Sequence, residues 1–160
     1  MSSLDGEIDG GRHRMAVRVY YEDTDFSGIV YHANYLRFME RGRTNYLRLL
    51  GTDHAALFAA AEIGPTGLAF VVRSLRIEFL KPARMDDVLT IVTAPEEVRG
   101  ASIRLRQAVL RGEEALVEAQ VRVACVCGGR PHPIPKPLRL ALAGGSDHVR
   151  RLRKGEVTKL

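Results

Sequence analysis

The chain predicts an α+β fold, with one long helix packed on one curved antiparallel sheet. Three observations carry that prediction. Residues 33–50 repeat apolar side chains at helical spacing (Tyr35, Phe38, Met39, Tyr46, Leu47, Leu50), and Gly51 follows where a helix would end. From about residue 67 the period changes to two, in four long runs separated by Gly or Pro. No repeat, low-complexity block or linker interrupts the 160 residues, so the length suits one domain with a real core.

The elements follow in order. Residues 1–14 are polar, acidic and glycine-rich, and are expected to be a disordered tail ahead of a domain over 15–143. MAVRVYY, 15–21, alternates as a strand, and EDTDFSGIV is a loop. The helix runs from about Ala33 to Leu50. Gly42 stands in its middle at a cost of about 1 kcal/mol against alanine, which implies close packing of the helix on the sheet. DHAALFAAAEIG, 53–64, suggests a second, shorter helix. In GLAFVVRSLRIEFL the odd positions Ala69, Val71, Leu75, Ile77 and Phe79 are expected to face one way, with Arg73 the exception, and Pro82 ends the run.

VLTIVTAPEEVR and ASIRLRQAVL are two strands joined by a turn at Arg99-Gly100. EALVEAQVRVACVC alternates most clearly: Val117, Ala119, Val121, Val123 and Cys125 face in, while Glu118, Gln120 and Arg122 face out. A proline-rich loop follows, then LRLALA as a short last helix and a basic tail over 144–160.

Composition excludes several classes. No apolar run approaches the roughly 20 residues a membrane span needs. The first residues lack the apolar stretch of a secretory signal, so the expected location is the cytoplasm. Cys125 and Cys127 are two apart on a strand and share a face, which suits buried thiols better than a disulfide or a metal site. The net charge is +5, with part of the excess in the C-terminal segment. Such a balance fits a phosphate-bearing small molecule, the inner face of a membrane or nucleic acid. Nucleic acid is disfavoured, because no aromatic residues interleave with the basic ones.

The chemistry concentrates in YEDTDFSGIVYHANYLRFMERGRTNYL, 21–47. Three acids (Glu22, Asp23, Asp25) precede a glycine and a helix start. The first amides of a helix lack intrahelical partners and carry partial positive charge, so they form a ready oxyanion site. A carboxylate beside them can activate water or attack a carbonyl directly. Asp25 lies nearest Gly28 and the helix, and is the better candidate. Asp23 suits a role in orienting the loop. Cap and turn residues alone would explain an isolated D-T-D, so the weight rests on the combination.

Those residues resemble the signature of hotdog-fold acyl-CoA thioesterases. The likeness is strongest to the 4-hydroxybenzoyl-CoA thioesterase branch, and within it to the Tol–Pal-associated enzymes. The pattern is Asp25, Gly28, Ile29-Val30, Tyr31-His32 and Asn34-Tyr35, supported by AFVVRSLRIEFLKPARMDD, by R-G-x-S at Arg99 to Ser102, and by VRVACV. The resemblance covers about residues 15–140. It implies a long central helix wrapped by a curved sheet, subunits paired through their sheets, and a dimer of dimers.

It further implies Asp25 as catalytic base or nucleophile, the His32 amide on the thioester carbonyl, and Tyr31 and His32 assisting. Gly28, Val30 and Asn34 would shape the substrate site. Candidates for the coenzyme A phosphates are Lys81, Arg84, Arg99, Arg130 and Lys136, and Ser102 of the R-G-x-S turn is a further substrate-binding candidate. No metal or separate cofactor is implied, since CoA is part of the substrate, and the acyl group could equally arrive on an acyl carrier protein. The basic tail lies beyond the family core and suggests peripheral membrane association. The competing expectation is a non-catalytic acyl-CoA-binding or scaffold module. A dehydratase using His32 and Glu40 would need groups about 12 Å apart on one helix to meet.

Overall fold

The computed structural model describes residues 3–51 and 68–156. After a 3-10 turn at Ser3–Asp5, the strands are β1 Glu7–Asp9, β2 Arg12–Arg18, β3 Leu68–Phe79, β4 Val88–Arg99, β5 Ser102–Arg111, β6 Glu114–Cys127 and β7 Arg130–Pro131. The helices are α1, His32–Leu50, and α2, Lys136–Glu156. All strand pairings are antiparallel, in the order β1-β2-β4-β5-β6-β3, with β7 pairing β6. The α+β architecture read from the sequence is the one observed. The segment 53–64, expected as a second helix, lies outside the described residues.

The core forms between α1 and one face of the sheet. Tyr35, Phe38, Met39 and Tyr46 pack on Leu89, Ile91, Ile103, Leu105, Val121 and Val123. Gly42 is buried because a side chain there would meet the sheet: an added Cβ would lie 2.9 Å from Ile91 Cγ2 and 3.0 Å from Thr93 Oγ1. Beside it runs a buried polar chain. Gln107 Nε2 donates to the Met39 carbonyl (2.9 Å) and to Thr93 Oγ1 (2.8 Å), and Arg43 Nη1 donates to Gln107 Oε1 (2.9 Å). Cys125 and Cys127 are free thiols, and only the first is fully buried.

Three expectations are corrected. The expected tail 1–14 is in part a hairpin: residues 7–9 pair with 12–14, and β2 continues to Arg18 along β4. It is anchored where His13, buried, hydrogen-bonds the Asp5 carbonyl at 2.7 Å. The strand therefore begins at Arg12 and ends at Arg18, before Tyr20-Tyr21.

The expected basic tail is no tail within the described residues. LRLALA opens a 21-residue helix, α2, which continues past Gly144. Leu138, Leu142, Ser146 and Val149 recur at helical spacing and are buried. Ser146 Oγ donates to the Glu96 carbonyl (3.0 Å) at a β-bulge, where the ladder skips from Pro95 to Glu97. A Cβ on Gly11 would lie 2.7 Å from the Gly145 carbonyl, so the two chain ends pack on each other through glycines.

In β3 the phase expected for Ala69 and Val71 is wrong. A bulge between Val72 and Ser74 switches faces at Arg73. Before it Leu68 and Phe70 pack on the core, and after it Leu75 and Ile77 do.

Candidate active site

The loop from Thr24 to Val30 closes on itself. Thr24 and Val30 form a β-bridge, Asp25 N donates to the Ile29 carbonyl (2.8 Å) and Gly28 N to the Asp25 carbonyl (3.1 Å). Gly28 has φ +81, a left-handed conformation that costs glycine little, and the space around it is open. The loop is fixed to the scaffold from both sides. Val30 N donates to the Ala83 carbonyl, and Tyr31 N and Asn34 Nδ2 both donate to the Asp23 carbonyl (2.9 Å each). Asp23 Oδ2 in turn accepts from Tyr20 N (2.8 Å). Asp23 thus orients the loop, as expected from the sequence.

Asp25 stands out from this frame with its side chain in solvent. Its Oδ1 accepts from Ser27 Oγ (2.6 Å) and Ser27 N (2.8 Å), which leaves Oδ2 for a ligand. Those donors favour the charged form. The Ser27 hydroxyl, then the Ser27 amide, hold the Asp25 carboxyl below its ordinary value. The group is therefore an ionised base at neutral pH, and activity that uses it falls as pH drops through that lowered value. Ser27→Ala removes the stronger donor. The expected result is an acid limb of kcat/KM displaced to higher pH, measured against wild type on one thioester. A limb that stays in place would detach Ser27 from the chemistry.

The start of α1 follows this loop directly. Tyr31 is the N-cap and makes no side-chain cap bond, and Asn34 N is taken by the Tyr31 carbonyl. The amides of His32 and Ala33 remain as first-turn donors with no intrahelical acceptor. An aromatic wall borders them. The His32 ring lies 4.6 Å from Tyr31 and 6.0 Å from Phe79, and Phe79 lies 5.8 Å from Tyr35. The Tyr35 hydroxyl accepts from the Ala83 amide (2.9 Å), tying α1 to the segment under the loop.

Gly28 lies within the Asp25 turn, and the Thr24–Val30 bridge leads that loop directly into Tyr31 and His32 at the start of α1. Asn34 is present as a strut, with its amide spent on Asp23. Val30 is corrected: its side chain is buried in the core and offers the site only its place in the backbone. Lys81 is engaged by Glu114 at 2.9 Å. Arg99 and Ser102 stand at the far end of β4 from Val88, about 35 Å away for 12 residues at ~3.3 Å each. There Arg99 pairs with Glu97. Arg84 does lie beside the loop, bridged to Ile29.

Two residues that the structure sets against the candidate residues are absent from the site expected from the sequence: Ser27, bonded to Asp25, and Phe79, against the His32 and Tyr35 rings. Ser27 had a signal, since Asp followed two residues on by a donor is an Asx turn. Phe79 was read only as one more apolar strand position. Among the described residues no three His, Cys, Asp or Glu side chains are placed to hold a metal ion.

Residues 27–118 match the thioesterase superfamily. The chain belongs to that superfamily. It is 44% identical over 127 residues to the acyl-CoA thioesterase YbgC of Haemophilus influenzae, a match covering 79% of this chain and 90% of that protein. It is 43% identical over 128 residues to the acyl-CoA thioester hydrolase YbgC of Escherichia coli O157:H7, covering 78% and 91%. A crystal structure of a probable thioesterase from Bartonella henselae superposes with TM-score 0.66 at 42% identity, over 78% of this chain and 98% of that one. A 4-hydroxybenzoyl-CoA thioesterase shares the hotdog fold at TM-score 0.71 and 22% identity, over 82% and 98%.

Proposed function

We infer that this chain is an acyl-CoA thioesterase, cleaving the thioester to a free acid and CoA with Asp25 as its working carboxylate. The observation that supports the reading is a solvent-open carboxylate, held by Ser27, on the loop that the Thr24–Val30 bridge leads directly into the start of α1. The thioester oxygen docks on the His32 and Ala33 amides, which stabilise negative charge as it develops. Asp25 takes a proton from water as that water adds to the carbonyl carbon, or it adds itself to give a mixed anhydride that water then opens. Collapse of the tetrahedral adduct breaks the C–S bond, and the CoA thiolate takes the proton held by Asp25 in the first route or one from water in the second. Tyr31, His32 and Phe79 bound the acyl side. The chemistry needs water and no further cofactor.

The free edge of β3 supports a site shared between two copies. β3 ends the strand order, is 12 residues long and exposes Val71 and Val72 by nearly half. Such an edge invites pairing. Antiparallel self-pairing would set the Leu68 end of one β3 by the Phe79 end of the other. Leu68 pairs with Cys127, and Ser102 pairs with Ala124 on the same end of β6. The Arg99–Ser102 turn of one subunit would then approach the His32 mouth of the next, where the CoA phosphates need cations. Two such dimers would make the dimer of dimers that the resemblance implies, and a Tol–Pal link rests on that resemblance alone. The free thiols suit the reducing cytoplasm.

The test measures thiol release from an acyl-CoA panel and from acyl carrier protein thioesters. Asp25→Asn and Arg99→Gln chains are then mixed after separate purification. A shared site predicts that mixed dimers recover activity above either parent, because one of their two sites is intact. No recovery after proven exchange would confine the site to one chain, and an inert wild type across the panel would remove the enzyme reading.

A further inference from the structure

We propose that the outward face of α2 is a docking surface for an anionic lipid bilayer. The 21 residues of α2 carry six Lys or Arg against two acids, so they hold +4 of the chain's net +5. Packing sorts these charges. The stripe Leu138, Leu142, Ser146, Val149 is buried on the sheet, and Lys136, Arg139, Leu140, His148, Arg150 and Arg151 are exposed. Arg150 is partly used, since Nη2 reaches the Glu96 carbonyl (3.3 Å) and Nη1 lies 3.8 Å from Asp147. Lys136, Arg139 and Arg151 have no ion-pair partner among the described residues.

The shape of the surface selects the occupant. The basic residues run along a convex helix of about 30 Å, with no concavity to hold a single phosphate. Protein interfaces concentrate their energy in buried aromatic and arginine anchors, and among the described side chains of this stripe the one large exposed apolar residue is Leu140, 60% exposed. Long cationic side chains around one leucine suit a diffuse anionic surface that the leucine can enter. The buried face fixes α2 to the Glu96 bulge, so the basic face is presented without unfolding anything. No helix among the described residues could cross the bilayer, so the association is peripheral.

The full-length protein is sedimented with vesicles of phosphatidylcholine alone or with about a third phosphatidylglycerol, at low and high salt. Binding is expected only with phosphatidylglycerol and is expected to weaken at high salt. The triple variant Lys136→Gln, Arg139→Gln, Arg151→Gln should bind on the order of 100-fold more weakly, at about tenfold or less per charge. Its circular dichroism should match wild type. A variant with equal charge loss elsewhere, Arg14→Gln, Arg76→Gln, Arg122→Gln, should bind within a few-fold of wild type. Equal loss in both variants would make the effect one of net charge and overturn the assignment. So would wild type that ignores phosphatidylglycerol. Retention on immobilised polyglutamate without vesicle binding would reassign the stripe to an acidic protein.

Discussion

Asp25→Asn is expected to lower kcat for acyl-CoA hydrolysis by on the order of 100-fold or more, the usual cost of losing a positioned acid or base. The substitution changes one atom of an exposed side chain. Its remaining oxygen can still accept from Ser27, so the turn over 25–28 stays closed and the unfolding midpoint should not move. Binding of CoA should persist as well, because a carboxylate supplies no cation to its phosphates. Loss of kcat with retained binding and fold is therefore the signature of chemistry. Single-turnover hydrolysis in ¹⁸O water tests the nucleophilic role of the carboxylate: label appearing in Asp25 marks a mixed anhydride opened at the Asp25 carbon. A variant as active as wild type would return Asp25 to the status of a turn residue and favour a binding module.

Gly42→Leu is expected to be the most damaging single change in the core. The first carbon alone would stand 2.9 Å from Ile91 Cγ2, 3.0 Å from Thr93 Oγ1 and 3.3 Å from Gln107 Nε2. Overpacking of this kind costs about 1–3 kcal/mol. A shift of α1 would also strip Gln107 of its bonds to the Met39 carbonyl and Thr93, and each buried polar group left unpaired adds about 1–3 kcal/mol. The roughly 1 kcal/mol of helix propensity regained does not offset that. A net loss of about 4 kcal/mol would consume much of the ~5–15 kcal/mol typical of a folded domain. Gly42→Ala adds only that first carbon and should destabilise by less than the leucine, while still costing stability. Urea titration measures both, and a leucine variant within 1 kcal/mol of wild type would mean that α1 can lift from the sheet.

The long helix was legible because its apolar period and its closing glycine agree, and β6 because fourteen residues alternate without a break. The Asp25 loop was legible through its acids, its glycine and its position before α1. Other features depend on partners remote in sequence. The β3 phase was misread because a bulge at Arg73 lets two faces share one apolar run, and no residue type marks a bulge. The ordered ends were misread because Gly10, Gly11, Gly144 and Gly145 look like freedom. In the fold, Gly11 and Gly145 mark a close approach between the first hairpin and α2.

The sequence by itself determined the fold class, the long helix α1 and the acid-rich loop with Asp25 just ahead of it, since all three are written in local periodicity and spacing. The tertiary structure decided which acid is presented and which is spent on the loop, that Val30 is core, that Phe79 walls the site, and that the basic segment is a docked helix. Each of those depends on which backbone carbonyls and side chains meet across the sheet, and contacts between residues tens of positions apart leave no period in the chain.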